Sequence, residues 1–338
     1  MGTLSPTGEY PKNSSNTSVC EIQDGFLAIT LPVMYSFIAI VGLLGNLSAL
    51  WVFHFGTQKL SSITVYMKHL AISDLLLAFC LPFRAAFQNQ SGPPVLCKVI
   101  GIIFYLTMYV SIFLLSLISL DRYLKIIRPL QQFRIHTVAY STALSRGVWL
   151  FCGFTMLAFF FENRSGACGN RCFHFKRRSV QGAVLNMTAV ATFFFLLLIF
   201  LYSYGRIALK LYNVSLKTTQ QQSKRNSTRA ALKTFVVLAI FVICFAPYHV
   251  VRVPYILAQV GVITCMGSTQ ALHLANELVL GISALNCCLD PVIFFFLSSS
   301  FKKAMLSATH GKLKGAFQKN QGVFGPRKSI TDSRIQGS

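Results

Sequence analysis

Seven long apolar runs divide the chain, separated by short polar stretches. They cover 26–55, 62–87, 95–127, 138–161, 180–212, 230–260 and 271–297. Each reaches the roughly 20 residues a helix needs to cross a bilayer. Their spacing predicts an all-α membrane protein, a seven-transmembrane helix bundle. The segments in between read as loops, with 213–229 a polar, basic connection. Ahead of the bundle lies a polar tail, 1–25. Behind it come 298–310, which reads as a short amphipathic eighth helix, and 311–338, a tail too polar to build a core. In 298–310, Phe301, Ala304, Met305 and Ala308 share one face and Lys302 and Lys303 flank it. That pattern suits a helix lying on anionic membrane lipid.

Composition agrees with this reading. Of 338 residues, 54% are hydrophobic and 12% charged, half the charged share of an ordinary soluble protein. The net charge of +22 would suit nucleic acid if it covered one face of a soluble domain. Here the cations fall between and after apolar runs, so they set topology instead and no nucleic-acid partner is expected. With the N-terminus outside, the inner loops hold Lys59, then Lys125, Arg128 and Arg134, then Lys217, Lys224, Arg225 and Arg229. The tail adds Lys302, Lys303, Lys312, Lys314 and Lys319. This obeys the positive-inside tendency. The loop between spans four and five departs from it, with Arg164, Arg171, Lys176, Arg177 and Arg178. It reads as a solvated loop or as a vestibule that attracts anions. The sequons at Asn13 and Asn16 fit a glycosylated extracellular tail. No basic-then-apolar leader opens the chain, so no cleavable signal is expected.

Polar residues inside the spans carry the functional argument, because they are costly there. Asp74 is a carboxylate within span two, and Ser111, Asn286 and Asp290 lie at depths that could meet it. Leu120-Asp121-Arg122-Tyr123 ends span three. Cys97 to Arg122 is 25 residues, about 37 Å of helix, so one end can be oxidised outside while the other faces cytosol. Five cysteines fall outside on this topology: Cys20, Cys97, Cys168, Cys172 and Cys265. The odd number leaves one thiol over. Pro247 and Pro291 permit kinks. Near the outer ends stand Arg84 and Arg252, and His249 shares a helical face with Arg252. Arginine suits bidentate contact with phosphate or carboxylate. Glu277 could neutralise one of the two. There is no His-Glu-x-x-His pair and no inverted repeat, so neither an enzyme nor a transporter is expected.

From 26 to 310 the chain resembles the class A, rhodopsin-like G-protein-coupled receptors. The motifs are Gly45-Asn46, Leu70-Ala71-x-x-Asp74, Cys97, Asp121-Arg122-Tyr123, Trp149, Cys244-Phe245-Ala246-Pro247 and Asn286-x-x-x-Asp290-Pro291, about one per span. The resemblance implies a plasma-membrane receptor coupled to a heterotrimeric G protein. It implies an allosteric sodium ion among Asp74, Ser111, Asn286 and Asp290, with no other cofactor. It makes Phe245 with Pro247 a packing toggle, and Asp121, Arg122, Tyr123 and Tyr204 the G-protein switch, closed by an Asp121–Arg122 ion pair. Phe294 replaces the family's tyrosine and removes a hydroxyl from that switch. Family pairing also implies a Cys97–Cys172 disulfide and, in one branch, Cys20–Cys265, leaving Cys168, which could compete for Cys97. Arrestin would use Ser329, Thr331 and Ser333.

Tyr248-His249-x-x-Arg252-x-Pro254-Tyr255 looks like the purinergic branch and its lipid-sensing relatives. Phe79-Cys80-Leu81-Pro82-Phe83-Arg84, Leu96-Cys97-Lys98-Val99, Phe104-Tyr105, Cys172-Phe173-His174 and Asn276-Glu277 resemble the lysophosphatidylserine-sensing members. That implies an anionic lysophospholipid as ligand and coupling to inhibitory-type G proteins. Arg84, Tyr105, Lys176, His249, Arg252, Tyr255, Asn276 and Glu277 would form the head-group site. The alternative is a nucleotide receptor. Nucleotide receptors of this branch commonly carry Lys before the Glu of span seven, where this chain has Asn276.

Overall fold

The computed structural model describes residues 25–307, apart from 56–59, 89, 129–130, 132, 162–170, 218–220 and 300. The helices in chain order are α1 (Gly25–Phe55), α2 (Ser62–Ala86), α3 (Pro94–Ile127), α4 (Val138–Phe161), α5 (Val180–Lys217), α6 (Gln221–Gln259), α7 (Met266–Ala284) and α8 (Asn286–Leu297). A 3-10 turn, Arg134–His136, precedes α4. Among the described residues, seven spans are long and apolar enough to cross a membrane, the seventh being α7 and α8 together. A helix satisfies its own backbone, which hydrocarbon requires.

The burial pattern inverts that of a soluble protein. Ile29, Leu150, Phe154 and Leu198 face outward, while Asn46, Asp74, Asp121 and Asp290 are buried. Helix α3 is the axis, touching α2, α4, α5 and α6. α1 packs on α2, α7 and α8. At Gly42 and Gly45 it lies so close to α8 that a methyl group would overlap Cys287 Sγ and the Pro291 ring. α4 and α5 both lean on α3, yet make at most isolated contacts with each other.

Two expectations are corrected. The segment 213–229 is largely helical rather than a loop, because α5 runs on to Lys217 and α6 begins at Gln221. Its Gln, Lys and Arg residues are good helix formers, so helix continues there without an apolar stripe. The seventh span begins at Met266 and breaks at Leu285, six residues before Pro291. Beyond α8, residues 301–307 are helical. There Phe301 is buried against Phe53 and Phe294 while Lys302 lies over the Phe295 ring.

Candidate functional site

A cavity of about 600 Å³ opens at the end of the bundle opposite Asp121. Arg84, Tyr105, Lys176, Arg252, Tyr255, Asn276 and Glu277 all line it. Its cover is the loop after α4, held to α3 by the Cys97–Cys172 disulfide, with Cα atoms 5.6 Å apart. The Cys172 N–H also donates to the Gln90 carbonyl at 3.0 Å. Next in sequence, Phe173 takes a left-handed backbone, φ 56°, uncommon for a residue with a side chain. Its ring then lies 4.4 Å from the Arg84 guanidinium carbon.

The two arginines have different partners. Arg84 Nη2 meets Glu277 Oε2 at 2.9 Å, and its Nε donates to the Tyr35 hydroxyl at 3.2 Å. Arg252 has no carboxylate partner among the described residues. Its Nη1 donates to Asn276 Oδ1 at 3.0 Å and its Nη2 to Asn186 Oδ1 at 3.1 Å. The rings of Tyr105, Tyr248 and Tyr255 surround it at 5.2–5.8 Å. Asn276 Nδ2 donates to Glu277 Oε1 at 3.1 Å, completing a chain Arg84–Glu277–Asn276–Arg252–Asn186. The charges of Arg84 and Glu277 cancel. That of Arg252 does not, and a buried guanidinium without a counter-ion costs several kcal/mol. Asn186 and Phe173 were not anticipated. Asn186 had a signal, a carboxamide inside the apolar run of α5.

His249 is not in the cavity wall. It is fully buried one turn deeper, with Nδ1 2.8 Å from the Phe245 carbonyl. Its ring stacks on Phe193 at 3.8 Å. From there Phe193 stacks on Phe241, Phe241 on Phe200, and Phe200 on Tyr204. Phe245 meets Phe241 edge-on at 5.5 Å. An aromatic column thus runs from the cavity floor to Tyr204, whose hydroxyl lies 2.9 Å from Ser119 Oγ.

In the bundle's centre, the carboxyl groups of Asp74 and Asp290 face each other. Asn286 Nδ2 donates to Asp290 Oδ2 at 2.8 Å. Ser111 contacts Ser73, 3.4 Å away, rather than Asp74. Asp74 Oδ2, Asp290 Oδ1 and Asn286 Oδ1 have no hydrogen-bond partner among the described residues. This set of hard oxygens has the chemistry to hold a small cation.

At the far end the expected Asp121–Arg122 ion pair is absent. Asp121 instead accepts from Ser62 Oγ at 2.9 Å and Lys125 Nζ at 2.8 Å, and lies 2.8 Å from His136 Nδ1. Arg122 Nη2 donates to the Leu297 carbonyl at 3.3 Å. Residues adjacent on a helix point about 100° apart, so Asp121 pairs with the side chain one turn on. The hydrogen bonds of this cluster do not include Tyr123. Lys210 on α5 donates to the Ile126 and Ile127 carbonyls at 2.6 and 2.9 Å, capping the end of α3. Phe294 packs on Phe53 and Phe301, so it braces α1 against the final helix.

Cys265, at the start of α7, is exposed and has no disulfide partner among the described residues. Backbone N–H groups of Gly267 and Ser268, with the Ser268 side chain, hold it below the usual thiol pKa. Its expected partner Cys20 lies outside the described residues, as do Cys168, Asn13, Asn16, Ser329, Thr331 and Ser333.

The profile of the 7 transmembrane receptor (rhodopsin family) matches residues 45–294. The chain is 36% identical over 338 residues to probable G-protein coupled receptor 34 of Pan troglodytes, covering 96% of this chain and 88% of that one. The Mus musculus protein of that name is 36% identical over 330 residues, 95% of this chain and 88% of the relative. Purinoceptor 13 of Homo sapiens is 30% identical over 313 residues, 89% of this chain and 87% of the other. Seven spans, a disulfide-anchored cover, a polar core and this similarity agree: the chain belongs to the rhodopsin family of seven-transmembrane, G-protein-coupled receptors, and is a multi-pass signalling receptor rather than an enzyme.

Proposed function

We propose that this receptor senses an anionic lysophospholipid of the lysophosphatidylserine kind, at the plasma membrane with its N-terminus extracellular, and activates inhibitory-type G proteins. One observation carries the reading: a buried Arg252 in the cavity wall, with no carboxylate partner among the described residues. Phe151 on α4 and Leu185 and Thr188 on α5 line the cavity and are exposed. They stand on the two sides of the seam between α4 and α5, which make few close backbone contacts. A phosphate or carboxylate would meet Arg252 and Lys176, and an acyl chain would lie along Phe151, Phe159 and Leu185 toward that seam. The head-group ammonium would share Glu277 with Arg84. The resemblance of the outer-end motifs to lysophosphatidylserine-sensing receptors supports the same class.

The second reading is a nucleotide receptor, favoured by the likeness to a purinoceptor. A panel of lysophospholipids and nucleotides on transfected cells, read by G-protein activation with and without inactivation of inhibitory G proteins, separates the two. Activation by lysophosphatidylserine alone is the expected result. Activation by nucleoside diphosphates alone would move the assignment to the second reading. We further propose a sodium ion between Asp74 and Asp290, glycosylation at Asn13 and Asn16, a Cys20–Cys265 bridge, and arrestin binding to the phosphorylated tail.

A further inference from the structure

Lys68 and Arg146 are cations on helix faces that otherwise suit hydrocarbon. On α4 the outward stripe runs Ala143, Arg146, Leu150 and Phe154, and the last two are 75% and 78% exposed. Arg146 is exposed as well. On α2 the stripe runs Lys68, Ile72 and Phe79, the last two 45% and 62% exposed. Lys68 is the sixth residue after Ser62 and Arg146 the eighth after Val138. Those offsets put them about 9 and 12 Å along their helices from the Asp121 end, near the boundary of head groups and acyl chains. Helices α2 and α4 pack directly on each other. His69, next to Lys68, lies within electrostatic reach of Arg146.

No protein carboxylate balances this cluster among the described residues. Asp121 is buried and taken by Lys125, His136 and Ser62. Asp74 and Asp290 face each other in the core. Glu277 binds Arg84 at the opposite end. Among the described residues, Lys68 and Arg146 make no ion pair. A cation at that depth either reaches for interfacial water or takes an anion from the membrane itself.

We propose that Lys68, His69 and Arg146 hold the phosphate of an anionic phospholipid in the leaflet at the Asp121 end, with its acyl chains along Ile72, Leu150 and Phe154. The chemistry fits. Guanidinium and ammonium both bind phosphate, Arg in a bidentate manner, and the apolar stripes begin one turn above the charges. The bound lipid bridges α2 to α4. Helix α2 also supplies Ser62 to Asp121, so the lipid steadies the helix that supports the switch. Calling this leaflet cytosolic rests on the orientation proposed above; the site itself does not.

The test uses the full-length receptor in nanodiscs of phosphatidylcholine doped with phosphatidylinositol 4,5-bisphosphate or phosphatidylserine. Retained lipid is counted by native mass spectrometry after extraction. Neither agonist nor orientation enters the readout, so failure here is separable from failure of the ligand assignment. A basic residue near the surface is worth about 1 kcal/mol toward anionic lipid, about fivefold. Lys68→Gln/Arg146→Gln should therefore lower retention of anionic lipid by roughly 25-fold and leave phosphatidylcholine unchanged. Lys68→Arg/Arg146→Lys should restore it, which separates lost binding from misfolding. Equal retention by wild type and the double Gln variant would overturn the proposal, leaving cations that only reach for water. So would full displacement by free inositol trisphosphate, which would indicate a soluble polyphosphate site instead.

Discussion

Arg84 and Arg252 look alike in the sequence, each a cation near the outer end of a span, yet they should respond differently to substitution. Arg252→Gln removes the uncompensated charge and keeps an amide for Asn276. It should cost about 2–3 kcal/mol of ligand affinity, roughly 30- to 150-fold in potency, with surface expression unchanged; competition binding and cell-surface labelling check both. Arg84→Ala strands Glu277 in the interior. That should lower stability by about 3–5 kcal/mol, read as a fall in melting temperature, and Arg84→Leu/Glu277→Leu should recover most of it. Asp121→Asn removes the charge that Lys125 and His136 hold and should raise ligand-independent nucleotide exchange. Unchanged basal exchange would mean that the cluster is structural. Sequence reading found these positions because charge inside an apolar run is conspicuous. It missed two of Asp121's partners because those contacts cross between elements. His136 comes from a loop turn and Ser62 from another helix, and no spacing in the chain encodes either meeting. His249 shows the same limit: sharing a face with Arg252 was legible, but lying one turn below the cavity floor was not.

At the scale of helices, the apolar runs located the spans, while polar composition hid the extensions of α5 and α6. Beyond the membrane a helix no longer needs an apolar face, so the pattern that marks a span says nothing about where the helix stops. The aromatic column was equally hidden. Phe193, Phe200, Phe241 and His249 are ordinary apolar or aromatic positions until α5 and α6 dock and stack them. Phe241→Leu would shorten the column at its centre while keeping the core apolar. It should leave ligand affinity within about threefold and reduce maximal G-protein activation severalfold, measured by saturation binding beside nucleotide exchange. Lys210 ties α5 to the carbonyl end of α3. Lys210→Met should loosen that tie and raise basal activation, with melting temperature lowered only slightly, since a partly exposed charge contributes little to stability.

For the whole molecule, fold class and membrane topology were legible because the bilayer imposes both the length and the polarity of each span. How the spans lean on one another was not. Two neighbouring helices can be equally apolar whether they pack closely or not, so nothing in α4 or α5 announced how few close backbone contacts they make. The orientation is checked directly: glycosidase treatment of intact cells should shift the receptor's mass, and Asn13→Gln/Asn16→Gln should abolish the shift. The sparse contact between α4 and α5 also changes what potency means for a lipid agonist. A ligand that arrives sideways is drawn from the bilayer, so its relevant concentration is a mole fraction in the membrane and not a molarity in water. At fixed total agonist, adding empty vesicles should dilute the signal in proportion to added lipid. A receptor supplied in this way would meter the local make-up of its own membrane.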